Sequence, residues 1–170
     1  MKKLSVPMIV ALLLGVGLVG TTLAAASARR PLPFKGSIEA LETYQINGPT
    51  MLVTATGSGE ATHLGRYTVS YEVKVDLPTG SGTDLSAQYV AANGDQLFAE
   101  GSGQATPTDN PSVFVVVETY TITGGTGRFE DATGSFTETR QVNIETGVTA
   151  GTIGGSIGIP LLINRFHDSE

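Results

Sequence analysis

The 170-residue sequence predicts an all-β fold, a closed antiparallel barrel of about eight strands. Three observations carry that expectation. Short segments rich in Val, Thr, Ile, Tyr and Phe are separated by Gly, Pro, Asn and Asp clusters roughly every ten residues, the spacing of strands joined by turns. Residues 66–76 alternate without a fault: Tyr67, Val69, Tyr71, Val73 and Val75 share one face, and Arg66, Thr68, Ser70, Glu72, Lys74 and Asp76 the other. Glycines stand inside strand segments at 57, 59, 101, 103, 151 and 155, where bends, bulges or tight wall packing in a small barrel account for them better than a flat sandwich does. No stretch of the mature chain offers a helical stripe.

The first 28 residues read as a signal peptide. Lys2 and Lys3 form a positive start, Val10 to Gly20 an apolar run, and Ala26-Ser27-Ala28 a small-x-small cleavage pattern, so the mature chain is expected to begin at Arg29 and to be secreted or periplasmic. An uncleaved membrane anchor is the alternative, against which the shortness of the apolar run counts. Without cysteine there is no lipid-anchor signal and no disulfide, so stability must come from the core and a complete backbone hydrogen-bond network. About 140 residues remain, one domain's worth. The formal charge is −6; without the two lysines of the leader, 8 basic residues face 16 acidic ones, a balance of −8. That argues against nucleic acid or an anionic membrane surface, which a basic patch would hold, and points to a neutral or small partner.

Residues 29–33, RRPLP, read as a linker, and 34–170 as a single barrel domain. Phe34 to Gln45 and Thr50 to Thr62 are the first two strands, joined through Asn47-Gly48-Pro49; Arg66 to Asp76 is the third. Leu77 to Gly82 is a loop in which Pro78 ends the ladder. Asp84 to Ala105 is a hairpin turning at Asn93-Gly94, two residues that tolerate φ > 0. Val113 to Thr123 is the most apolar strand, and Gly134 to Glu145 and Thr149 to Ile159 complete the set. Leu161 to Phe166 is either a last strand or a tail over a barrel end.

Between strands, Ile122-Thr123-Gly124-Gly125-Thr126-Gly127-Arg128-Phe129, followed by Ala132-Thr133-Gly134, resembles the GGTG-x-F-x-x-A-x-G signature of plant dirigent proteins, which share an eight-stranded barrel with the allene oxide cyclases. The stretches Ala61 to Tyr67 and Ala91 to Phe98 are similar to those of exported bacterial proteins in the same superfamily. Together these motifs span roughly half of the mature chain. The resemblance implies a lumen able to hold a small apolar molecule, in some relatives to steer a reactive intermediate, and a homo-oligomer formed through the outer barrel face. The shared signature is a turn and supplies no catalytic group, and no catalytic residue of the plant families matches this chain by position.

The candidate site residues lie on two neighbouring strands. On the seventh, strict alternation puts Glu138 and Arg140 on the face of Phe136, Val142 and Ile144; they form a charged pair inside the barrel, or a bulge turns both to solvent. On the sixth, Phe114, Val116, Glu118, Tyr120 and Ile122 share one face, and Val113, Val115, Val117, Thr119 and Thr121 the other; both begin apolar, so the inward face is open. If the first points inward, Glu118, Glu138 and Arg140 are candidate catalytic groups, because a carboxyl buried against aromatics has a raised pKa. Tyr120, Phe136 and Phe114 are then candidate ligand contacts. His63, in the turn Thr62-His63-Leu64-Gly65, and His167 are the only histidines, and no ligand-spaced cluster indicates a metal. The glycine runs lack the Lys-Ser/Thr ending and following helix of a phosphate loop, and no nucleophile elbow is present, so no cofactor is expected. Three functions remain open: binding of a small apolar molecule, an isomerase or cyclase acting in the lumen, and a structural barrel filled by its own side chains.

Overall fold

The computed structural model describes residues 30–160, which form a closed barrel of eight antiparallel strands in chain order. The strands are β1 (Leu32–Asn47), β2 (Thr50–Ala61), β3 (Gly65–Asp76), β4 (Ser81–Ala91), β5 (Gln96–Pro107), β6 (Val113–Gly125), β7 (Thr133–Asn143) and β8 (Val148–Gly158). Each pairs with its neighbour in sequence, and β8 returns onto β1 from Leu32↔Ile157 to Leu41↔Val148, so no strand edge is left open. The first strand begins at Leu32, inside the stretch expected as a linker; Pro33 is tolerated because it stands at the strand's start. The leader, the segment Leu161 to Phe166 and His167 lie outside the described residues.

The alternation seen in the sequence becomes inside and outside. Along β3, Tyr67, Val69, Tyr71 and Val73 are buried, while Thr68, Ser70, Glu72 and Lys74 face outward. On β7, Ser135, Thr137, Thr139 and Gln141 are exposed and Phe136, Glu138, Arg140 and Val142 are buried. Apolar inside and polar outside is the reverse of what a lipid-embedded barrel needs.

Five of the six in-strand glycines singled out in the sequence have a common explanation in the register. Gly59 stands opposite Tyr67, Gly101 opposite Tyr120, Gly103 opposite Glu118, Gly151 opposite Arg140 and Gly155 opposite Phe136. In each pair a large inward side chain leans over a partner that has none, alternating large and small as a narrow barrel requires. A Cβ at Gly151 would overlap the Arg140 Cβ and the Thr139 carbonyl oxygen, whereas one at Gly154 would meet nothing within 4 Å. Gly151→Ala is therefore expected to lower stability by about 1 to 3 kcal/mol in urea unfolding, with Gly154→Ala within about 0.5 kcal/mol of the parent.

The two barrel ends differ. At the end holding both described termini, Phe34, Leu64, Leu97, Phe129, Ala132 and Ile157 are each at most 2% exposed and close the lumen. The glycine-rich run after β6 supplies this plug. A 3-10 turn at Gly127–Phe129 turns Phe129 inward, and Gly127, at φ +58, passes so close to Asp95 that a Cβ there would overlap its carboxylate. Asp95 accepts the Arg128 backbone N–H at 3.3 Å, the Thr126 N–H bonds the Gln96 carbonyl at 2.8 Å, and Arg128 Nη2 donates to the Leu64 carbonyl at 3.2 Å. The β4–β5 turn is longer than the tight Asn93-Gly94 hairpin expected, running over Ala92 to Asp95, and its last residue is the one that holds the plug. His63, exposed at φ +69, is a turn residue beside it.

Beneath the plug, aromatic rings fill the barrel's middle. Tyr120 and Phe136 stack at 4.7 Å, while Phe34, Tyr89 and Tyr67 join them edge to face. Contacts of this kind contribute about 0.5 to 1.5 kcal/mol each beyond burial. The filled half ends there.

Candidate functional site: a charged floor under an open lumen

Strands β6 and β7 pair without a shift from Val113↔Asn143 to Ile122↔Gly134, and β7 and β8 likewise from Thr133↔Gly158 to Val142↔Thr149. No bulge turns Glu138 and Arg140 outward; both are inside, 0% and 3% exposed. The inward face of β6 is that of Val116, Glu118, Tyr120 and Ile122, which settles the direction that alternation left open. The strand ends short of its expected limit at Glu145: β7 stops at Asn143, and Ile144 stands 42% exposed in the following turn.

Arg140 is the hub. Its Nη2 donates to Glu118 Oε1 at 2.9 Å and its Nε to Glu118 Oε2 at 3.3 Å, a two-point grip. Nη1 donates to Glu42 Oε1 in a very short contact and to Thr149 Oγ1 at 3.1 Å. Its guanidinium carbon lies 5.1 Å from the centre of the Tyr71 ring. Hydroxyl groups complete the carboxylates: Tyr71 donates to Glu42 Oε1 at 2.6 Å, Tyr44 to Glu42 Oε2 at 2.9 Å and Tyr120 to Glu118 Oε2 at 3.1 Å. Burial opposes the charge on Arg140, but the facing Glu118, Tyr71 and Glu42 outweigh it and hold the guanidinium's pKa above its ordinary value. Burial likewise pushes the Tyr71 and Tyr44 hydroxyls up, so both remain donors.

Glu138 is bound differently. The register sets it directly across from Glu118, a like-charge pair on one face. Its Oε1 comes within 3.3 Å of Arg140 Nε, yet that N–H points to Glu118, and neither Glu138 oxygen has a hydrogen-bond partner among the described residues. The Tyr89 hydroxyl is also buried without one among those residues. Burial first and Glu118 second push the Glu138 carboxyl up to about 8, with Arg140 pulling the other way. At neutral pH Glu138 therefore keeps its proton.

Above this floor, away from the plug, the lumen opens into a cavity of about 340 Å³. Glu42, Tyr44, Glu118 and Arg140 form its polar base, and Val53, Val73, Val75, Val116, Val142 and Phe114 are among its walls. Gly82, Gly103 and Ala105 line it on β4 and β5, so the chamber exists where large inward side chains are missing. Ile46, Leu77 and Ile144, 70%, 42% and 42% exposed, stand at its rim on three hairpins.

Of the six residues singled out in the sequence, Glu118, Arg140 and Phe114 line the cavity. Glu138 lies in the charged cluster but off the cavity wall, while Tyr120 and Phe136 stack within the filled half. Four participants escaped sequence reasoning: Glu42, Tyr44, Tyr71 as a donor, and Thr149. A signal for the first two exists, since Phe34, Ile38, Ala40, Glu42 and Tyr44 fall on one face of β1 at a period of two. Compared with known proteins, the chain matches no family model, no curated protein and no solved structure.

Proposed function

We propose that this is an exported barrel that takes up a small, largely apolar molecule in the open half of its lumen. The observation that carries this reading is the cavity of about 340 Å³, largely apolar in its walls, with its charged groups at its base. Pockets for small molecules share that construction, with a few polar groups fixing orientation. A barrel filled throughout by its own side chains would leave no such space. The signal-like leader supports export, and the GGTG-x-F-x-x-A-x-G resemblance supports a lumen used for apolar molecules.

Catalysis in the manner of an isomerase or cyclase would require an acid of shifted pKa facing the substrate. The shifted acid is Glu138, which does not line the cavity, and the lining Glu118 is held by Arg140 and Tyr120. Binding is the better supported function.

The test is fluorescence titration with N-phenyl-1-naphthylamine, a neutral apolar probe. Saturable enhancement at one site per chain is expected, abolished by Ala105→Phe, which projects a ring into the cavity. Absence of saturation in the parent, or equal enhancement in the variant, would overturn the reading.

A further inference from the structure

The charge of the cavity's base restricts what the apolar molecule can carry at its end. Among the described residues three charged side chains line the cavity, Glu42, Glu118 and Arg140, which amount formally to −1. Behind them stands Glu138, fully buried, with two oxygens that no donor among the described residues reaches. The cluster as a whole therefore has more carboxyl groups than cationic partners, in a place where an uncompensated charge is costly.

An arginine at the bottom of an apolar pocket ordinarily indicates a carboxylate ligand such as a fatty acid. Here that option is closed. Arg140 makes four hydrogen bonds, to Glu118 twice, to Glu42 and to Thr149, out of the five N–H groups a guanidinium has. An incoming anion would meet a base already negative. A cation would meet the opposite: the Glu42 carboxylate, the Glu118 carboxylate and the Tyr44 oxygen, whose proton is turned toward Glu42. Among the described residues the aromatic side chains in the lining are Tyr44 and Phe114, too few for the cage that holds a quaternary ammonium. A head with N–H donors fits instead.

Resting on the lumen-binding reading, we infer that the molecule taken up is a monocationic amphiphile, an apolar body ending in a primary ammonium that sits on the base against Glu42 and Glu118. The ammonium restores the charge balance of the lining and donates to acceptors that the protein's own hydrogen bonds leave with lone pairs to spare. The valine walls take the body.

The test is calorimetric titration of the full chain with three probes of equal length: octylammonium, octanol and octanoate. Octylammonium is expected to bind at least about tenfold tighter than octanol, with octanoate weakest. The Ala105→Phe variant separates the lumen from the acidic exterior, and octylammonium binding is expected to vanish in it. In Glu42→Gln the preference for the ammonium over octanol is expected to shrink to within about threefold while octanol binding is retained, which also reports that the variant is folded. Octanol or octanoate binding as tightly as octylammonium in the parent would overturn the inference and leave the lumen-binding reading intact, as would ammonium binding that survives Ala105→Phe. No saturable binding of any probe would overturn both.

Discussion

Replacing Arg140 by leucine is expected to lower the stability of the barrel by about 3 to 5 kcal/mol, the largest effect of any single substitution on the cavity floor. The loss does not measure the worth of the ion pairs. Glu42 and Glu118 are 6% and 2% exposed, and without Arg140 both carboxylates remain buried with only tyrosine hydroxyls to answer them. The pairs themselves contribute less, because bringing all three groups out of water offsets much of their attraction. A second variant separates these contributions. Arg140→Leu combined with Glu42→Gln and Glu118→Gln is expected to recover at least about half of the loss, as amides carry no charge to strand. Chemical unfolding of the three proteins checks both statements; a single variant within about 1 kcal/mol of the parent would show that the cluster is hydrated in solution.

The second large effect is a dependence of stability on pH. An ordinary glutamate releases its proton near 4.5, and Glu138 in the folded barrel holds it up to about 8. Between those values the folded state binds one proton more than the unfolded state. Stability from this group is therefore full below about 4.5 and is lost as pH rises through about 8. The total is roughly 5 kcal/mol, from about 1.4 kcal/mol for each pH unit between the two values. Glu138→Gln keeps the shape of the side chain and removes its titration. The difference in unfolding free energy between parent and variant, followed from pH 4 to pH 9, isolates Glu138 from every other titrating group. It is expected to move in the variant's favour as pH rises. A constant difference would show that the carboxyl reaches water.

Much of the fold was legible because a barrel wall has a period of two and its turns have a distinct chemistry. Tyr67 to Val75 reads inward and outward without a fault, and eight such segments with turns between them leave few architectures. The placement of in-strand glycines was legible as a sign of tight packing, but not its partners. That Gly103 makes room for Glu118 and Gly151 for Arg140 depends on register across strands, which local pattern does not contain. The same limit applies to the floor. Glu118, Glu138 and Arg140 lie on adjacent strands and could be proposed together, whereas Glu42 meets Arg140 across 98 positions of sequence, where β1 and β8 close the barrel. The Glu42 N–H is fixed there by the Gly147 carbonyl at 2.8 Å, a contact that exists only once the ring of strands is complete.

The glycine-rich run illustrates the opposite case, a conspicuous motif whose work is structural. Gly124 and Gly127 take φ of +129 and +58, and the turn they allow delivers Phe129 into the closed end. Nothing in that run reaches the cavity, whose lining comes from the other end of the barrel. The plug determines which end is open.

Native mass spectrometry of the protein as its own organism exports it, purified without detergent, tests the central claim most directly. A discrete noncovalent adduct of one small molecule per chain is expected on the parent, and none on Ala105→Phe prepared in the same way. An unladen parent in repeated preparations, or an adduct that persists when the cavity is filled, would contradict a ligand held above the Glu42, Glu118 and Arg140 floor.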